Sequence, residues 1–154
     1  MKSVIAHRRI LAATVGLLLG AGVAAHAAEP EDIIKYRENV MKSLGAHLGA
    51  AGAIVQGKVD YKDQLGDHVK ALEAGTKDIP GLFPKDSDFG DTEATDAVWK
   101  NNAEFVKRAK AAQEKAQALA KAVAAGDSAN YGPRLKELQE SCKSCHKDFR
   151  KEKK

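Results

Sequence analysis

Several things are scarce in this chain of 154 residues, and each shortage removes a class of protein. There are two cysteines, Cys142 and Cys145, so no disulfide framework holds the fold and the core rests on apolar packing. Aromatic residues make up 5% of the chain, and no basic stripe with interleaved aromatics occurs, which argues against a nucleic-acid interface. No stretch alternates apolar and polar residues as a half-buried strand does. There is no internal repeat, and alanine richness is the one compositional bias. The single long apolar run, Ile10 to Val23, is short for a membrane span.

That run belongs to residues 1–27, which read as a secretory signal. Lys2, Arg8 and Arg9 form the positive end, and Ala25-His26-Ala27 is an A-x-A cleavage site. The mature chain then starts at Ala28 and keeps no membrane anchor. The residues around Arg8-Arg9 match twin-arginine export poorly, so general secretion is expected. The full chain has 25 Lys+Arg and 21 Asp+Glu; the leader holds three bases and no acid, leaving 22 against 21, a net +1. The basic pI therefore says little about the mature protein. Residues 28–154 fit one domain. The tail Arg150-Lys151-Glu152-Lys153-Lys154 reads as a solvated helix end, favourable at the negative end of a helix dipole.

The periodicity is helical throughout. A first helix follows Glu29-Pro30-Glu31-Asp32, where proline and acids suit a helix start. Ile34, Met41, Leu48 and Val55 recur every seven residues beside Ile33, Val40, His47 and Ile54; Arg37 and Leu44 complete one face, and Gly57 is a natural stop. A second helix is predicted from about Tyr61 to Ala74, with Leu65, His68, Val69 and Leu72 inward and Gly75 ending it. Residues 76–92 break the pattern with Pro80, Gly81, Pro84 and Gly90, and a loop of this length in a small bundle packs over something. After a short turn near Ala94–Trp99, a third long helix places Phe105, Ala109, Ala112, Ala116, Leu119 and Val123 on one stripe, ending at Gly126-Asp127. The last helix, expected to be firm from Pro133, carries Leu135, Leu138, Cys142, Cys145 and Phe149 inward. Four amphipathic helices predict an all-α four-helix bundle.

Both cysteines lie in Cys142-Lys143-Ser144-Cys145-His146, the Cys-x-x-Cys-His attachment pattern of haem c. Positions i, i+3 and i+4 share a helix face, so both thiols and the imidazole look the same way. The thiols form thioethers to the haem vinyl groups, and His146 reaches the iron as a neutral nitrogen ligand. Two rivals use the same residues. A thioredoxin-like pair needs a βαβ context, which is lacking. A structural zinc site wants four ligands, and His47 and His68 are distant in sequence. Haem is the preferred reading. Haem attachment takes place outside the cytoplasm, so signal and motif agree on the periplasm.

The whole mature chain resembles the cytochrome c-prime family, including its low-spin cytochrome c-556 branch. The likeness rests on Lys35-Tyr36-Arg37 with Met41 to His47, on Leu82-Phe83-Pro84, on Trp99, and on Cys142 to His146 followed by Arg150. It implies an antiparallel up-down-up-down bundle holding one covalent haem c. It also implies that Met41 covers the distal side of the haem. In the family that position either blocks the iron's sixth site or, as methionine, ligates it, and some five-coordinate members also carry methionine there. Ligation by Met41 is the preferred expectation; the plainer role is a flexible core filler. Arg37, one turn earlier, is expected on a haem propionate, since a buried arginine needs an anion. Glu38 adjoins the haem edge in family members. Arg150 lies near the proximal face or in a solvated tail. Where the family often has a basic residue and a proline, this chain has Thr95 and Asp96, which weakens haem contacts there. His47 and His68 read as half-buried bundle histidines rather than iron ligands. The resemblance further implies a homodimer contact through the first two helices; Gly45, Gly49 and Gly52 on the first mark that contact, or room for the haem or close helix approach at Gly45, or plain tolerance of glycine.

Two functions follow from the resemblance. In the first, a periplasmic monohaem carrier with His146 and Met41 on the iron passes electrons to redox partner proteins. In the second, a five-coordinate haem captures nitric oxide or carbon monoxide and excludes larger or more polar ligands. Neither is an enzyme, and no distal acid–base histidine is placed for peroxidase chemistry.

Overall fold

The computed structural model describes residues 29–152; the expected leader, its cleavage site and the start at Ala28 lie outside the described residues. Helix α1 spans Pro30–Val55, α2 Leu65–Thr76, α3 Ala97–Lys100, α4 Asn102–Ala124 and α5 Ser128–Phe149, with single 3₁₀ turns at Lys62–Gln64 and Pro80–Leu82. The four longer helices contact one another in a ring, α1 to α2, α2 to α4, α4 to α5 and α5 to α1. Short returns at 56–64 and 125–127 make the paired helices antiparallel, and the long connection 77–101 joins the two hairpins. This is the up-down-up-down bundle that the periodicity and the resemblance imply.

The helix ends follow from local chemistry. Pro30 opens α1, where its missing N–H costs nothing, and the Glu29 carbonyl accepts the amides of Asp32 and Ile33. At the far end Gly57 takes φ 66°, and the amides of Lys58 and Gly57 return to the carbonyls of Ala53 and Ile54. Gly126, at φ 68°, repeats this after α4, with Asp127 to Ala122 and Gly126 to Val123. Both are Schellman ends that a side chain at the positive-φ position would strain.

Three boundaries differ from expectation. The second helix starts at Leu65, behind a 3₁₀ turn, and does not stop at Gly75: it runs to Thr76, whose hydroxyl donates to the Leu72 carbonyl at 2.8 Å. Gly75 instead marks a close helix approach, since a Cβ there would lie 2.8 Å from Leu44 Cδ2. Helix α5 begins at Ser128 rather than Pro133. Pro133 is close enough to the start that only the carbonyl of exposed Ala129 loses its intrahelical partner, and water can replace it.

The core is in two parts. One cluster, at the end of the bundle with the 56–64 and 125–127 turns, joins Ala51, Ile54, Leu65, Val69, Leu72, Ala116, Leu119, Leu135 and Leu138. Each fully buried leucine or valine there contributes about 1.5–3 kcal/mol, enough to fix that end of the bundle. The other cluster joins Ile79, Ala94, Val98, Phe105, Ala109 and Phe149, with Phe105 edge-on to both Phe83 and Phe149. The stripe expected on the third long helix is buried from Phe105 through Leu119; at its end Ala122 takes the buried place and Val123 is half-buried.

Candidate haem site

Helix α5 is unbroken through Cys142, Cys145 and His146, so the helical repeat sets all three on the stripe that continues from Leu138 to Phe149. The three line a cavity of about 300 Å³. Members of both core clusters line it too, so it lies where the two parts of the core fail to meet. Cys142 packs against the first cluster and Cys145 against the second, one thiol on each side of the gap. Both thiols are free and half-buried. Burial pushes the Cys142 thiol up, and the Cys145 thiol up to about 11, so both stand protonated. Burial, with Arg150 beside it, holds the His146 imidazole below its ordinary value, which keeps a lone pair free for a metal.

Helix α1 supplies another wall through Arg37, Glu38, Met41, Leu44, Gly45 and Leu48. Met41 is half-buried and packs on the cluster of Phe105 and Phe149. Glu38 is half-buried on the same wall and pairs with Lys42 at 3.8 Å. Nothing would meet a Cβ at Gly45 within 4 Å, and with Ala109 and Ala112 from α4 it leaves the cavity roomy.

Arg37 is the largest fully buried side chain, 2% exposed, yet no carboxylate pairs with it among the described residues. Its protein partners are neutral oxygens. Nη1 donates to Ser87 Oγ at 2.6 Å, and Nη2 donates to the Ser87 carbonyl at 2.7 Å and to Thr92 Oγ1 at 2.6 Å. The guanidinium also stacks over Phe83 at 4.8 Å and Trp99 at 5.6 Å. Burial lowers its pKa, partly countered by Glu38, and it remains a cation at neutral pH. The long connection is therefore folded around this side chain. Trp99 adds a tie, donating from Nε1 to the Pro84 carbonyl at 2.9 Å. Ser87 and Thr92 were not found by sequence reasoning; the one signal was a basic residue on an otherwise apolar stripe, which demands buried partners without naming them.

Thr95, at one of the positions where the family pattern is broken, has a different task. Its amide donates to the Phe149 carbonyl and its hydroxyl to the Asp148 carbonyl, while the Lys151 amide donates to Glu93. These bonds hold the end of α5, with His146, against the 93–96 segment. Arg150 is exposed and still borders the cavity, which merges its two expected places. His47 and His68 are half-buried and do not line the cavity.

The model of the family described as Cytochrome C' matches residues 32–150, nearly all of the described structure. The chain belongs to the cytochrome c-prime family. A cytochrome c' of Pararhodospirillum photometricum is 36% identical over 124 residues, covering 80% of this chain and 99% of the relative. Among solved structures, the nitric oxide complex of a cytochrome c prime variant from Alcaligenes xylosoxidans superposes with a TM-score of 0.76 at 28% identity, over 83% of this chain and all of that one. A carbon monoxide-bound variant from the same organism gives 0.75 at 27% identity, over 82% of this chain and all of that one. The chain is accordingly a cytochrome with covalently bound haem c. The residues present fit the group: paired thiols in an apolar wall, a neutral imidazole beside them, and a buried cation with no carboxylate of its own. Cys142 and Cys145 would hold the porphyrin, and His146 would hold the iron, which supplies the ligand-binding and redox chemistry.

Proposed function

We propose that this protein is a periplasmic haem c protein whose five-coordinate iron binds nitric oxide or carbon monoxide. Cys142 and Cys145 anchor the haem, His146 occupies the proximal side, and Met41 covers the distal side as an apolar plug. Arg37 offers its charge to a propionate, with Glu38 and Arg150 near the haem edge. The observation that carries this reading is the packing of Met41 on the Phe105–Phe149 cluster, in a wall where Gly45 leaves open space. Nitric oxide and carbon monoxide complexes of structural relatives support it. The reading reverses the preference for Met41 ligation drawn from sequence. Electron transfer with His146 and Met41 both on the iron is the second reading, favoured by the presence of both side chains in one cavity. Both readings make the protein a carrier or a gas binder rather than an enzyme. A homodimer through α1 and α2 belongs to the same proposal.

Optical and electron paramagnetic resonance spectra of the ferric protein test it. High-spin iron is expected, unchanged in Met41→Ala, with faster carbon monoxide capture in the variant. Low-spin iron in the unmutated protein, turning high-spin in Met41→Ala, would replace the gas-binding reading with the carrier.

A further inference from the structure

His47 on α1 and His68 on α2 face each other outside the haem cavity, with their Nδ1 atoms 3.0 Å apart. Their ring centroids are 5.3 Å apart and their planes cross at 53°. A bond between two Nδ1 atoms holds one proton: one ring donates it and the other offers a lone pair. Centroids this far apart set the two nitrogens head-on, so each ring must turn before both lone pairs converge on one ion. With metal–nitrogen bonds of about 2.0–2.1 Å, the separation of the two nitrogens subtends roughly 90° at the ion. That is the angle between neighbours in a tetragonal site, and smaller than the tetrahedral angle zinc prefers.

We propose that His47 and His68 form a two-imidazole site for a divalent tetragonal cation, with copper(II) first in affinity. On binding, the ring that donated from Nδ1 carries its proton on Nε2 instead. Both imidazoles stay neutral, both bind through Nδ1, and no net proton is released. The helices hold the two rings within reach of one ion. Leu44, one turn before His47, is seated against Gly75, and Ala51, Leu65, Val69 and Leu72 lock the same seam within the first core cluster. Among the described residues no third histidine, cysteine or carboxylate converges on the pair, so water completes the coordination and the metal exchanges readily. Both rings are half-buried, which leaves an edge for those waters. A bound ion would staple α1 to α2.

The test uses the haem-loaded protein. With His7 and His26 in the expected leader and His146 assigned to iron, these two are the remaining imidazoles. Copper(II) chloride is titrated in to one equivalent, and the copper resonance is recorded at equilibrium without a separation step. One copper per chain is expected, with hyperfine splitting from two nitrogens and a raised thermal midpoint. His47→Gln and His68→Gln should each weaken binding by more than about 100-fold, beyond the cost of losing an outer-shell partner, and should abolish the thermal shift. Equal copper binding by the double variant would overturn the proposal, as would a single-nitrogen spectrum from the unmutated protein. If either variant loses the native haem spectrum, the spectrum of the unmutated protein decides alone.

Discussion

Replacing Arg37 with methionine keeps most of the side-chain volume and removes the charge that the long connection folds around. Three hydrogen bonds from a charged donor are lost, to Ser87 Oγ, the Ser87 carbonyl and Thr92 Oγ1. At about 1.5–3 kcal/mol each, they sum to roughly 4.5–9 kcal/mol. Two effects reduce the loss. The guanidinium no longer has to be stripped of water, which returns several kcal/mol. The hydroxyls also keep partners, because Ser87 Oγ donates to the Pro84 carbonyl and Thr92 Oγ1 accepts the Ala94 amide. The buried Ser87 carbonyl is the group stranded. A net loss of about 2–4 kcal/mol is expected, which for a domain of this size lowers the thermal midpoint by roughly 8–15 °C. Circular dichroism of the haem-loaded protein measures it. Arg37→Lys should fall between, since a point charge cannot reproduce the fork. A double-mutant cycle with Thr92→Val should show coupling of at least about 1 kcal/mol. A midpoint within about 3 °C of the unmutated protein, or strict additivity in the cycle, would refute the reasoning.

Two further outcomes rest on single observations. Gly75→Ala should destabilise by about 1–3 kcal/mol through its clash with Leu44, whereas Gly49→Ala, with nothing within 4 Å, should stabilise by up to about 1 kcal/mol; chemical denaturation decides, and equal effects at the two sites would contradict the packing. Burial lowers the His146 pKa, so its share of stability is complete above the ordinary histidine value near ~6.5 and is lost as pH falls through that value toward the folded one. Iron on His146 would oppose the same proton, so spectral loss of the proximal ligand should begin only well below pH ~6.5, and loss at or above that pH would show that this imidazole does not hold the iron.

The sequence by itself determined the helical class, the number of long helices and the attachment motif, because all three are local. A repeat of 3.6 residues is written in neighbouring positions, and Phe105 through Leu119 are buried in the order their spacing predicts. The Cys-x-x-Cys-His pattern likewise needs only one helix to bring its three side chains to one face. Periodicity weakens where the core opens: Met41, Leu44 and Leu48 lie on the predicted stripe of α1 but are half-buried, because that stripe lines a cavity. What only the tertiary structure decided is which distant residues meet. Arg37 finds Ser87 and Thr92 across 50 and 55 positions, and His47 finds His68 across 21. Gly75 looked like a stop signal until Leu44 from the neighbouring helix showed that a side chain there would have to push it aside. Spacing along one helix fixes which face turns inward; the residue waiting on the other side depends on how two helices and a long connection pack, which no local pattern encodes.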